Sequence, residues 1–218
     1  MFQNNLCRPS QAQRELRAST EVALNKPIYL FLAWALTAPA PAVAAAPPVV
    51  VSVKPVHSLV AGVMEGIAPP RLLITGGASP HTYSLKPSDA RALAQAKIVF
   101  VVGGALESFL GKALGALVQG GRLVELATLP GLAPAGRTVR DRDSMDPHIW
   151  LDVANAKVIV ATAARVLEDA DAANGRRYAA NAKRLSARLD GLDAELARIV
   201  APAKDIPYVV FHDAYGHF

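Results

Sequence analysis

The chain has 218 residues, of which 52% are hydrophobic, and a formal net charge of +5 at pH 7. This length and hydrophobic content are enough to build a buried core, so a natively unfolded chain is excluded. The lysines and arginines are not clustered with aromatic residues, so we expect no nucleic-acid partner despite the basic balance.

The first 44 residues have the pattern of a secretory signal. Lys26 precedes an apolar stretch that Pro39 interrupts before it is long enough to span a bilayer. Ala42 and Ala44 then form the small-residue pattern that a signal peptidase requires. We therefore expect residues 1–44 to be the signal peptide of an exported protein rather than a membrane anchor.

Cysteine usage limits the chemistry of the remaining chain. The only cysteine, Cys7, lies inside the expected signal peptide. The exported protein would therefore have no thiol and no disulfide, and a transition metal would have to be held by imidazole and carboxylate groups.

From residue 45 to residue 171 the chain alternates short apolar runs with segments of helical periodicity. We predict strands at 49–54, 71–75, 97–102 and 122–127, and helices at 56–67, 87–96, 106–118 and 153–170. Gly, Pro and charged residues at 128–145 predict a loop. This alternation predicts an α/β fold, in which a parallel sheet carries helices on both faces and forms an N-terminal lobe.

One long apolar stripe follows this lobe. Residues three and four apart along it lie on one face of a helix of about thirty residues, roughly 45 Å long. A helix of that length exceeds what a compact lobe needs, so we assign residues 172–203 to a helix that links two lobes; an ordinary surface helix is the alternative. The stripe consists of Tyr178, Ala182, Leu185, Leu189, Leu192, Leu196 and Ile199.

The last residues predict one more strand, at 206–211. A single strand cannot bury its own surface. We therefore expect residues 204–218 to be the start of a second α/β lobe that is truncated in this sequence.

Three of the five histidines lie in similar settings. His81 follows the predicted strand 71–75, His148 precedes a helix, and His212 follows the predicted strand 206–211. In open α/β sheets ligands bind beyond the carboxyl ends of the strands. Zinc accepts neutral imidazoles in a tetrahedral shell, and three of them leave one position for a carboxylate or water.

The segments GGASPHTYSLKPSD, DPHIWLDVANA and VVFHDAYGHF resemble, in order and setting, the metal-site motifs of the zinc-uptake solute-binding proteins. These are the ZnuA-like members of the metal-binding cluster A-I of ABC receptors. The resemblance covers residues 49–218 and implies two α/β lobes with metal in the cleft between them. It makes His81, His148 and His212 the metal ligands.

The same resemblance implies a periplasmic, monomeric receptor that binds Zn²⁺ and delivers it to the permease subunit of an ABC transporter, which a separate ATPase powers. Such a protein is not an enzyme. A manganese receptor or a metal-binding adhesin of the same fold is an alternative, although manganese-binding relatives typically have glutamate at the third position. A zinc-dependent hydrolase is a further alternative, but no general base stands out near the histidines.

Two departures from the family pattern affect the site. Many relatives have a histidine-rich acidic loop between the first two ligands, whereas residues 128–145 contain no histidine. Some relatives also have a glutamate ligand next to the first histidine, and Pro80 occupies that position here. The fourth zinc ligand therefore stays open.

Several other polar residues are candidates for structural roles. We predict that His57 and His217 are not ligands, and that Glu65 and Glu107 lie on solvated helix faces.

Three aspartates lie close to the candidate ligands. Asp146, Asp152 and Asp213 could each accept the second imidazole N–H of a ligand histidine, which would orient the ring. Each could equally cap a helix, and the sequence leaves both roles open.

Overall fold

The computed structural model describes residues 45–218, apart from residues 112, 113, 116, 117, 119 and 135–145. The predicted signal peptide and much of the predicted loop 128–145 lie outside the described residues. Within the described part of the chain, no helix is long and apolar enough to cross a membrane.

In the described part of the chain, four parallel strands form one sheet, in the order β2-β1-β3-β4. The two central strands consist of buried, mostly β-branched residues, as expected for a parallel sheet covered on both faces. All four strands are shorter than predicted. They are β1 (Val49–Val51), β2 (Arg71–Leu72), β3 (Ile98–Val101) and β4 (Arg122–Glu125).

Among the residues that the structure describes, four continuous α-helices accompany the sheet: α1 (Lys54–Val63), α2 (Pro87–Gln95), α3 (Val153–Ala170) and α4 (Gly175–Val200). One apolar cluster joins the sheet to α1, α3 and α4, and a second joins its other face to α2. The predicted α/β class with helices on both faces is confirmed.

Helix starts follow the local signals in the sequence. Asp152 caps α3 and accepts hydrogen bonds from the backbone N–H groups of Ala154 and Asn155, at 2.6 and 3.2 Å. Pro87 occupies the first turn of α2, where the missing N–H is not needed. Both helices begin where the sequence predicts them.

The predicted long helix is present as α4, which has 26 residues and is shorter than predicted. Its first half packs on the lobe: Tyr178 is buried, and the Asn181 amide donates to the backbone oxygen of Val63 at 2.8 Å. Its second half exposes Leu192 and Ile199, which are 43% and 55% accessible. The helix therefore extends beyond the surface that buries its first half, and a role in linking two lobes stays a prediction.

Two predicted elements differ, fully or in part, from those in the structure. The strand predicted at 206–211 is wrong: these residues are all exposed and pair with no strand among the described residues, and a single unpaired strand cannot bury its own surface. The helix predicted at 106–118 is confirmed in part: Ser108–Leu110 form a short 3₁₀ helix, and residues 111, 114 and 115 are α-helical, while residues 112, 113, 116 and 117 lie outside the described residues. The domain boundaries at 171 and 203 stay predictions.

Candidate metal centre

The fold brings His81, His148 and His212 together. One ring nitrogen of each lies within 4.8 Å of those of the other two. The Nε2 atoms of His148 and His212 are 3.3 Å apart. Two nitrogens bound to one tetrahedral zinc at its usual bond length would be about 3.3 Å apart. The spacing of these two atoms therefore matches a shared metal ion.

His81 lies in the loop that follows β2. The backbone N–H of His81 donates to Ser79 Oγ at 3.3 Å. Two residues later Tyr83 is buried, and its hydroxyl donates to Asp89 Oδ2 at 2.8 Å. The aromatic residue of the His-x-Tyr sequence thus anchors the loop, while His81 itself stays exposed.

His148 is the most firmly held of the three histidines. It is only 7% exposed, and its ring meets that of Trp150 edge to face, with centroids 5.3 Å apart. The Asp146 Oδ1 atom accepts hydrogen bonds from both His148 Nδ1, at 2.6 Å, and the His148 backbone N–H, at 2.9 Å. Because a carboxylate accepts this bond, Nδ1 carries the hydrogen and the Nε2 lone pair points towards the other histidines.

His212 reaches the site from an irregular segment. The residues from 206 to 213 are exposed. The His212 ring nevertheless lies 5.1 Å from that of His148 and 5.3 Å from that of His81, measured between centroids. Its position therefore does not depend on the strand that the sequence predicts.

Partial desolvation among its neighbours and mutual charge both favour a neutral His81, although the residue is exposed overall. Its pKa is lowered mainly by desolvation and further by the charges that His148 and His212 would carry when protonated. The neutral imidazole is the form that binds a metal ion, so the surroundings of His81 favour the ligand form.

The other candidates have structural roles. His57 Nε2 donates to the backbone oxygen of Pro70 at 2.9 Å, and the buried His217 is hydrogen-bonded away from the three clustered histidines. Asp152 caps α3, whereas Asp146 orients His148. Asp213 is exposed. The two roles left open for the aspartates are thus divided between Asp146 and Asp152.

The two glutamates differ, and the prediction for Glu107 is wrong. Glu65 is exposed as predicted, but it lies in the turn after α1 rather than on a helix, and it pairs with Arg184 at 2.7 Å. Glu107 is 1% exposed and accepts hydrogen bonds from Ser52 Oγ at 2.5 Å and from the backbone N–H groups of Val102 and Gly103 at 3.0 and 2.8 Å. Desolvation raises the pKa of Glu107, and these hydrogen bonds oppose that rise.

The histidines line a largely apolar cleft. Its other walls include Val53, Pro55, Ile74, Trp150 and Phe211. Apolar walls lower the local dielectric constant and so strengthen the attraction between a cation and the imidazole nitrogens.

Comparison with known sequences places this site in a family context. The model of the family described as "Zinc-uptake complex component A periplasmic" matches residues 49–218. The high-affinity zinc uptake system protein ZnuA of Brucella abortus (strain 2308) is 35% identical over an alignment of 210 positions, which covers 78% of this chain and 63% of that protein. The protein of the same name from Paracoccus denitrificans is 33% identical over an alignment of 226 positions, which covers 88% of this chain and 69% of that protein.

Solved structures agree with the sequence comparison. A zinc-bound ZnuA from which residues 138–173 of its own numbering are deleted superposes with a TM-score of 0.68 and is 27% identical. The match covers 79% of this chain and 65% of that one. The chain thus spans less than two thirds of the length of this structure and of the Brucella relative.

Proposed function

Since this chain belongs to the ZnuA family of periplasmic zinc-uptake components, we propose that it is a high-affinity receptor for Zn²⁺, with His81, His148 and His212 as the ligands. The receptor would act in the periplasm and deliver the ion to the permease of an ABC transporter. It would be a binding protein and not an enzyme. The second half of α4 would lead to a second lobe that closes the cleft.

The convergence of three imidazoles carries this proposal. The three residues are far apart in the sequence, yet their ring nitrogens lie within 4.8 Å of one another. An all-imidazole set favours zinc over manganese, which prefers oxygen ligands. A single water or carboxylate would complete a tetrahedral shell.

Zinc affinity is expected to fall as the pH drops. Protons compete with the metal for the imidazoles, and free histidine titrates near pH 6.5. The lowered pKa of His81 keeps that residue neutral further into the acidic range than a free histidine. We expect one zinc per chain at pH 7.5 and an affinity lower by at least about tenfold at pH 5. Calorimetric titration at both values measures this, and an unchanged affinity would contradict a histidine site.

Replacing the carboxylate that orients His148 is expected to weaken zinc binding. In the unsubstituted chain, the Gly216 N–H donates to Asp146 Oδ2 at 2.9 Å. In Asp146→Asn the amide oxygen can still accept from His148, but the amide nitrogen would face the Gly216 N–H and could not accept from it. We expect zinc affinity to fall by about 10- to 100-fold. Asp152→Asn is the matched control, because asparagine caps a helix as well as aspartate. Equal affinities for the two variants would argue against this role of Asp146.

A further inference from the structure

The segment that carries His212 is held to the lobe at a point beyond His212. Residues 206–213 are exposed, whereas Ala214 and His217 are only 7% and 8% exposed. The backbone N–H of Gly216 donates to Asp146 Oδ2 at 2.9 Å. The buried end of this segment therefore lies against the residue that also orients His148.

His217 is hydrogen-bonded on both sides of its ring. Its Nε2 lies 3.0 Å from the backbone oxygen of Asp146, and its Nδ1 lies 3.3 Å from the Asn155 side-chain nitrogen. A carbonyl can only accept, so Nε2 carries the hydrogen and Nδ1 accepts from the Asn155 amide. Both partners thus specify the same tautomer.

The Asn155 amide is fixed in its turn. Asn155 is fully buried on the first turn of α3, and its Oδ1 accepts from the Ala133 N–H at 2.7 Å. Its nitrogen also donates to the Ala133 oxygen at 3.3 Å. This pairing determines which end of the amide faces His217.

We propose that His217 and Asn155 are positioning residues for the metal site: their hydrogen bond, with that from His217 to Asp146, holds the segment 212–218 on α3 and thereby places His212 beside His148. This inference rests on the proposed zinc-receptor function. It assigns the position of the third ligand to contacts within the first lobe, where one buried residue, Asp146, is bonded to both His148 and His217.

A double-mutant cycle tests this role through the zinc dissociation constant, measured in the full chain by competition with a chromophoric chelator. We expect His217→Ala to weaken zinc binding by about tenfold. The same substitution in a His212→Ala background should have little further effect, because the ligand that it positions is already gone. A residue that only stabilises the fold would give the same loss in both backgrounds.

Two further variants complete the test. His217→Gln keeps a donor for the Asp146 oxygen and should restore most of the affinity. His217→Leu removes both hydrogen bonds while keeping the buried volume, so it replaces His217→Ala if the alanine variant does not fold. Failure of the unsubstituted chain to bind zinc would contradict the proposed function itself. Two results would overturn only this inference. One is zinc binding that neither His217→Ala nor His217→Leu weakens, and the other is a loss of affinity by the same factor in the His212→Ala background.

Discussion

Replacing His81, His148 and His212 together with alanine is expected to abolish stoichiometric zinc binding. The three rings are the only described cluster of histidine, cysteine and acidic residues whose geometry could hold a metal ion. Without them, no set of converging imidazole nitrogens remains in the cleft. Equilibrium dialysis with elemental analysis would show less than about a tenth of an equivalent of zinc, at free zinc levels that saturate the unsubstituted chain.

The single substitutions should differ in size. His148→Ala is expected to cause the largest loss, more than about 100-fold in affinity, because a loss at an orienting partner alone already costs 10- to 100-fold. His148 is also buried and oriented by Asp146, so no neighbouring ring can move into its place. His57→Gln is the matched control, since His57 is bonded to Pro70 and lies outside the cluster. Retention of one tight zinc equivalent by the triple variant would refute the ligand assignment.

Replacing Glu107 with alanine is expected to lower the free energy of unfolding by about 2–4 kcal/mol, the cost of leaving buried donors without acceptors. The carboxylate accepts from Ser52 and from two backbone N–H groups beyond the end of β3. The serine hydroxyl can rotate to a new partner, but the N–H groups of Val102 and Gly103 cannot. Urea unfolding of the metal-free chain, followed by circular dichroism, measures the change.

Glu65→Ala is the control for this experiment. Glu65 is exposed and forms a surface ion pair with Arg184, and such pairs contribute about 0–1 kcal/mol. The two substitutions remove the same side chain, so the difference between them reports burial. Similar small losses for both variants would show that Glu107 is not buried with its three donors in solution.

Much of the first lobe follows from local sequence. The β-branched runs at Val49–Val51 and Ile98–Val101 predict buried parallel strands, and the structure pairs them with each other. Helix α3 begins and ends at the predicted residues, and Asp152 caps its first turn. These signals depend on neighbours along the chain, which is why sequence alone is enough to locate them.

The three histidines are also identifiable from the sequence, through their motifs. His81 follows β2 and His148 precedes α3, whereas the strand predicted ahead of His212 does not form. Residues far apart in sequence converge when the fold brings their loops to one edge of the sheet. The roles of their neighbours are not identifiable in this way. Asp146 and Asp152 are the same residue type on either side of His148, yet one orients the ring and the other caps a helix.

The sequence by itself determined the α/β lobe, the long apolar stripe and the choice of the three histidines as candidate ligands, because local periodicity or a motif predicts each of them. Only the tertiary structure decided that residues 206–211 form no strand, that Glu107 is buried, and that Asp146 is hydrogen-bonded both to His148 and to the residues that follow His212. The physical reason is common to all three. A strand needs a partner, burial needs a covering surface, and a hydrogen bond needs an acceptor in place, and each of these is supplied by residues distant in the sequence.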